Sequence, residues 1–166
     1  ASRYEHFIIG LRLSGLRMEE AERLDWEVGP VKLDLDGARH PRILLGVAGH
    51  KGRRQEILPI TPDFAEFLRQ TPKSERRGRV FKVGRKARCV VAAIGRASGV
   101  VISEIDGVQT FVSAKHLRKT FATFWSYRVR PIILQRLMRH KDIKTTLKYY
   151  VAQEADDIGD ELLRAY

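Results

Sequence analysis

Residues 137–151 read Leu-Met-Arg-His-Lys-Asp-Ile-Lys-Thr-Thr-Leu-Lys-Tyr-Tyr-Val. The stretch holds the end of one helix and the start of another. Arg139-His140 closes the first, and Asp142 has the short acceptor side chain that caps the second. Ile143, Leu147 and Val151 recur at helical spacing and predict an inner stripe. At about 100° per residue, Tyr149 lies about 20° from Thr145 and on a different side from Leu147. His140 and Tyr149 are nine residues apart.

Upstream, Pro131 opens a helix with Ile133, Leu134, Leu137 and Met138 facing inward. A helix over 114–127 precedes it, with Leu117, Phe121, Phe124 and Trp125 on one side. Lys115, Arg118, Lys119 and Thr123 fall away from that stripe, and Lys115 and Arg118 are one turn apart. Tyr4, Phe7, Ile8 and Leu11 place a helix at the start of the chain, which opens with almost no leader, as a fragment of something longer would. Ser14-Gly15 breaks this helix, and Arg17 stands where the next begins, a position suited to phosphate. Met18, Ala21 and Leu24 make that helix's inner face.

Alternation in Val31–Leu35, with strands over 42–47 and 55–60, predicts a three-stranded antiparallel sheet with Lys51 at its second turn. Thr61-Pro62-Asp63 starts a helix carrying Phe64, Phe67 and Leu68. A helix over 86–96 stops at Gly99. Asp106-Gly107, between two apolar runs, marks either a hairpin or an extended loop. Residues 153–166 form a tail, acidic at first, with Ile158, Leu162 and Leu163 as a short amphipathic face. The fold class is α+β, mainly helical with a small antiparallel sheet.

The chain has 166 residues, 43% of them hydrophobic, enough for a core. Its apolar runs are far shorter than a membrane span, and no secretory leader is visible. The net charge of +11 and a pI near 10.1 favour a polyanionic partner, nucleic acid before an acidic membrane surface. The single cysteine, Cys89, excludes an intramolecular disulfide and fits a reducing compartment. Its apolar neighbours mark it as a buried small hydrophobe.

For a phosphodiester substrate these residues offer a consistent chemistry. Charge builds on the non-bridging oxygens during attack at phosphorus, and arginine forks match those oxygens. Arg17 and Arg118 are the candidates. A tyrosine hydroxyl, with a pKa near 10, needs a base or local positive charge to become a nucleophile. Lys51 on a hairpin can protonate the leaving 5′ oxygen. His140 can donate to a phosphate oxygen. Tyr150 is the rival to Tyr149. The chain has no acidic cluster with metal-ligand spacing, so neither metal nor cofactor is expected.

Across residues 5–151 the chain resembles the tyrosine recombinases, the phage-integrase family. Gly15-Leu16-Arg17 through Glu20 matches the family's Gly-Leu-Arg-x-x-Glu. Lys51, eight residues before Pro59, matches its hairpin lysine. Lys115–Thr123 matches His-x-Leu-Arg-x-Thr-Phe-Ala-Thr, with Lys115 where the family has histidine. Met138-Arg139-His140 matches Leu-Gly-His, with Arg139 for glycine, and Tyr149 stands at the nucleophile's place.

The resemblance implies a catalytic domain over 1–152 that cuts and rejoins duplex DNA through a 3′-phosphotyrosine. Its site would be Arg17, Lys51, Lys115, Arg118, His140 and Tyr149, with no cofactor. It implies an upstream core-binding domain absent from this fragment, and a tetramer on DNA in which the tail docks on a neighbouring subunit. The fragment alone would be a monomer, and the location cytoplasmic, at the nucleoid. Two other readings keep the same segments: a DNA-binding protein of this fold with impaired catalysis, and a type IB topoisomerase.

Overall fold

The computed structural model describes residues 3–46, 55–84 and 86–151, together with residues 159, 162 and 163. Two compact units are present, Ala1–Phe121 and Ala122–Tyr166, and the division falls inside a helix.

The first unit holds the main core. Helix α1 (Arg3–Ser14) buries Phe7 and Leu11, as their spacing predicts. Gly10 lies on the same face, where a Cβ would overlap the Phe81 ring. Phe81 meets Phe7 edge-on at 5.3 Å between ring centroids. The short helix α2 (Met18–Arg23) leads into a sheet of β1 (Leu24–Asp25), β2 (Val31–Asp34), β3 (Arg42–Leu45) and β4 (Glu56–Pro59), in that spatial order. The three expected antiparallel strands are β2, β3 and β4. Their register sets Leu33 beside Ile43 and Ile43 beside Leu58, so one face of the sheet is a continuous apolar row.

The fourth strand, β1, is an addition. It pairs parallel with β2, Leu24 beside Val31. Leu24 is therefore buried as a strand residue and not on the inner face of α2. Two residues are too few to show a period. A distant segment holds this edge, with Val80 N–H donating to the Leu24 carbonyl and Trp26 N–H to that of Gly78, both at 2.9 Å.

Helix α3 (Pro62–Arg69) buries Phe64, Phe67 and Leu68 against this sheet core. Its leading threonine does not cap it through the side chain. The Thr61 hydroxyl donates instead to the Leu13 carbonyl at 3.2 Å, tying the start of α3 to the end of α1. Helix α4 (Ala87–Ala97) buries Ala87, Val91 and Gly95, one face at four-residue spacing. Cys89 lies about 200° around from Ala87 and is exposed, contrary to its apolar neighbourhood in sequence.

The Asp106-Gly107 signal makes a hairpin, β5 (Val101–Ile105) with β6 (Val108–Phe111). Asp106 and Gly107 turn it with φ of 50° and 75°. Every residue of β5 is exposed. Helix α5 (Ala114–Ser126) buries Phe121 and, unexpectedly, His116.

In the second unit Phe124 is exposed and not part of an inner stripe, with the Arg128 guanidinium 3.6 Å from its ring centroid. Helix α6 (Pro131–Met138) buries Leu134 and Met138, while Ile133 faces solvent. Helix α7 (Ile143–Val151) departs most from its periodicity. Val151 is 83% exposed and Leu147 is exposed too, whereas Thr146 is fully buried. The buried residue of α7 is polar because it meets His140, and an apolar period cannot report a polar contact. In the tail, Leu162 and Leu163 are helical and exposed, and Ile158 lies outside the described residues. Among the described residues no helix is long and apolar enough to cross a membrane.

Phe81 sits where α1, Gly10 and the sheet core meet. Phe81→Ala is expected to cost about 3–5 kcal/mol in urea unfolding. A loss below about 1 kcal/mol would show that the ring is not a core member.

Candidate functional site

In the first unit the candidate residues gather at the break after α1. Gly15 turns the chain with φ of +59°, a conformation costly for any residue with a side chain. A Cβ there would also overlap the Phe121 ring. The Gly15 carbonyl accepts a hydrogen bond from the Arg118 guanidinium, 103 residues away in sequence. Arg17 stands two residues further on. Arg17 and Arg118 are thus anchored at one turn.

Arg17 is extended and begins α2. Glu20, with only 5% of its surface exposed, holds it twice. One carboxylate oxygen accepts the Arg17 backbone N–H at 2.9 Å, and the other accepts its guanidinium at 3.0 Å. An ion pair whose arginine is half exposed adds little stability. Its effect is geometric, since backbone and side chain of Arg17 are fixed by one buried carboxylate.

Lys115 is exposed on the first turn of α5, one turn before Arg118. Its neighbour His116 does different work. His116 Nδ1 accepts the Ser113 backbone N–H at 3.1 Å and lies 3.1 Å from the Ser113 hydroxyl. This is the returning half of a capping box, with imidazole in the usual place of glutamate. Burial, then the charges of Lys115 and Lys119, push the His116 pKa below its ordinary value. His116 is therefore neutral and engaged at the helix start. Lys51 lies outside the described residues.

The second unit brings His140 and Tyr149 together. Arg139 ends α6 in the left-handed conformation, φ of 52° and ψ of 46°. Its N–H donates to the Arg136 carbonyl, and that of His140 to the Gln135 carbonyl, each at 3.1 Å. This is a Schellman ending, in which the left-handed residue is usually glycine. Asp142 then caps α7, its carboxylate accepting the Lys144 N–H at 2.9 Å. His140 Nδ1 lies 2.9 Å from the Thr146 hydroxyl. The His140 ring stacks on Tyr149, 6.3 Å between centroids and 12° between planes. The Tyr150 hydroxyl donates to the Val129 carbonyl.

Three contributors stand outside the expected set. Thr146 pairs with His140, Ser113 engages His116, and the Gly15 carbonyl receives Arg118. Periodicity gives no sign of Thr146, because a buried hydroxyl on a polar inner face has no hydropathy signature. Ser113 is readable as the residue before a helix, three ahead of an acceptor.

No family model matches the chain, and no curated protein matches it. Solved structures do. The Tn1549 transposon integrase in complex with transposon right end DNA superposes with a TM-score of 0.59 at 16% identity, over 98% of this chain and 58% of that one. The XerA recombinase gives 0.57 at 16% identity, over 98% and 61%. The catalytic domain of bacteriophage HP1 integrase gives 0.52 at 22% identity, over 87% and 72%. The chain spans about six-tenths of the length of the first two. The fold is that of the tyrosine recombinase catalytic domain.

The neutral His116 makes a pH prediction. The unfolded chain binds a proton near the ordinary imidazole pKa, about 6.5, more readily than the folded one. The stabilisation is therefore present above that pH and is lost as pH falls below it. The urea midpoint should drop between pH 7.5 and 5.5. His116→Gln keeps an acceptor for Ser113 but cannot titrate, so its drop should be smaller. A residual slope is expected from His6, whose pKa burial also lowers. An unchanged drop in His116→Gln would remove His116 as the responsible group.

Proposed function

We propose that the chain is the catalytic domain of a DNA-cleaving and rejoining tyrosine recombinase. The observation that carries this reading is the Arg118 guanidinium at the Gly15 carbonyl, two residues from Arg17, within a fold shared with recombinases. Two arginines held at neighbouring residues of one turn suit the doubly charged oxygens of a phosphoryl transition state. The substrate is duplex DNA, in keeping with the charge of +11 and with DNA in the Tn1549 integrase complex.

In this mechanism the Tyr149 oxygen attacks phosphorus and displaces the 5′ oxygen. A 3′-phosphotyrosine and a free 5′ hydroxyl result. A 5′ hydroxyl of another strand reverses the step, so the bond energy is retained and no cofactor is consumed. Arg17 and Arg118 hold the non-bridging oxygens and His140 donates to one of them. Lys51 delivers the proton to the leaving oxygen. Lys115 stands where the family's histidine would, and either supports the Tyr149 phenolate as a charge or, neutral, takes the proton of the phenol as a base. The whole protein works as a tetramer on DNA in the cytoplasm, at the nucleoid.

Tyr149 is preferred over Tyr150 because the Tyr150 hydroxyl is engaged with the Val129 carbonyl, while the Tyr149 ring lies against His140. The test uses nicked suicide duplexes from DNA flanking the encoding gene. The protein should form a covalent adduct that Tyr149→Phe abolishes, by 1000-fold or more on the order of a lost nucleophile. Tyr150→Phe should keep the adduct. An adduct that survives in Tyr149→Phe and disappears in Tyr150→Phe would move the nucleophile by one residue.

The role of Lys51 has its own test. A 5′-bridging sulfur leaves without needing a proton, because thiols are far more acidic than alcohols. Lys51→Ala should cleave an ordinary duplex slowly and the sulfur-substituted one at close to the parent rate. Equal impairment on both would assign the proton elsewhere.

One observation favours a second reading. His116 is occupied as a helix cap and Lys115 replaces the usual histidine, which fits a DNA-binding module that has lost catalysis. If no adduct forms in the parent, in Lys115→Ala or in Lys115→His, the module reading stands.

A further inference from the structure

We infer that Thr146 is a positioning residue for His140, fixing which ring nitrogen carries the proton. The inference deepens the proposed function and rests on it only for the catalytic consequence. Thr146 is fully buried in the second unit, and its hydroxyl lies 2.9 Å from His140 Nδ1. A hydroxyl has one proton to give and two lone pairs to receive. Among the described residues, Nδ1 is the hydrogen-bond partner of this hydroxyl.

Two arrangements are open to the pair. If Nδ1–H donated to Thr146, the hydroxyl proton would be left unpaired in a site without solvent, which is the costly case for a buried polar group. If Thr146 donates to a bare Nδ1, both groups are satisfied. The second arrangement places the proton of neutral His140 on Nε2. His140 then carries its one N–H on the side of the ring away from the Thr146 contact.

The surroundings hold the residue in place. The His140 backbone N–H is spent on the Gln135 carbonyl, its carbonyl accepts the Gln135 amide at 3.2 Å, and its ring lies nearly parallel to that of Tyr149, offset, with centroids 6.3 Å apart. Thr146 sits three residues before Tyr149, on the same side of α7. One helix therefore presents both the proposed nucleophile and the group that sets its neighbour's tautomer.

The experiment has two readouts on the whole chain. The first is 15N NMR of the His140 ring at a pH above its titration, which separates bare from protonated ring nitrogens without any DNA. The parent should show Nδ1 bare and Nε2 protonated. Thr146→Val, close in shape but without the hydroxyl, should give a mixture of the two forms, and Thr146→Ser should restore the parent pattern. A protonated Nδ1 in the parent would overturn the inference, as would identical spectra for the parent and Thr146→Val. The parent spectrum alone decides should the valine variant fail to fold.

The second readout is adduct formation on the suicide duplex. Thr146→Val should lower its rate about 10-fold, with Thr146→Ser near the parent. An unaffected rate alongside a changed tautomer would end the positioning role. If the tautomer result holds while the parent forms no adduct on any duplex, the proposed function fails and the hydrogen-bond assignment stands.

Discussion

The turn at Gly15 is the constraint on which the candidate site depends. Three demands meet in one residue: a left-handed backbone, contact with the Phe121 ring, and a carbonyl aimed at Arg118. Each could be met elsewhere by other means. Met together, they admit glycine alone and lock the end of α1 to the middle of α5. Arg17 inherits its position from this lock, with the Glu20 carboxylate accepting its backbone N–H and its guanidinium. A buried carboxylate facing a partly exposed guanidinium is a poor source of stability. It is a good source of direction.

Local features were legible in the sequence because their causes are local. The Ser14-Gly15 break, the proline openings of α3 and α6, the Asp142 cap and the Asp106-Gly107 turn each follow from backbone preferences within a few residues. The alternation of β2 and the stripe of α3 follow from burial against one core. Strand β1 was not legible, since Leu24 is held by Val80 and the adjoining Trp26 by Gly78, more than fifty positions away. Cys89 misled because its neighbours along the chain are not its neighbours around the helix. The inner face of α7 misled because apolar periodicity assumes that the partner surface is apolar.

The candidate site divides in the same way. The order of its motifs points to Arg17, Arg118, His140 and Tyr149 as a set, yet no helical or strand period links residues a hundred positions apart. Only the fold brings Arg118 to Gly15. The roles of His116 and Thr146 were hidden for a different reason. Both are polar groups whose partners complete them inside the protein. A histidine serving as a cap, and a threonine serving a histidine, look in sequence like any other polar residue on a helix.

The left-handed residue at 139 also bears on how the second unit tolerates insertion and deletion. His140 leaves the chain on the closing hydrogen bonds of α6, so its place is governed by that helix. Tyr149 leaves from α7, whose phase is counted from the Asp142 cap. Only Lys141 and Asp142 intervene before α7 begins. One residue added between Ile143 and Tyr149 would rotate the phenol about 100° around its axis, while leaving the imidazole where it is. The nine-residue interval is thus an angular setting as much as a distance.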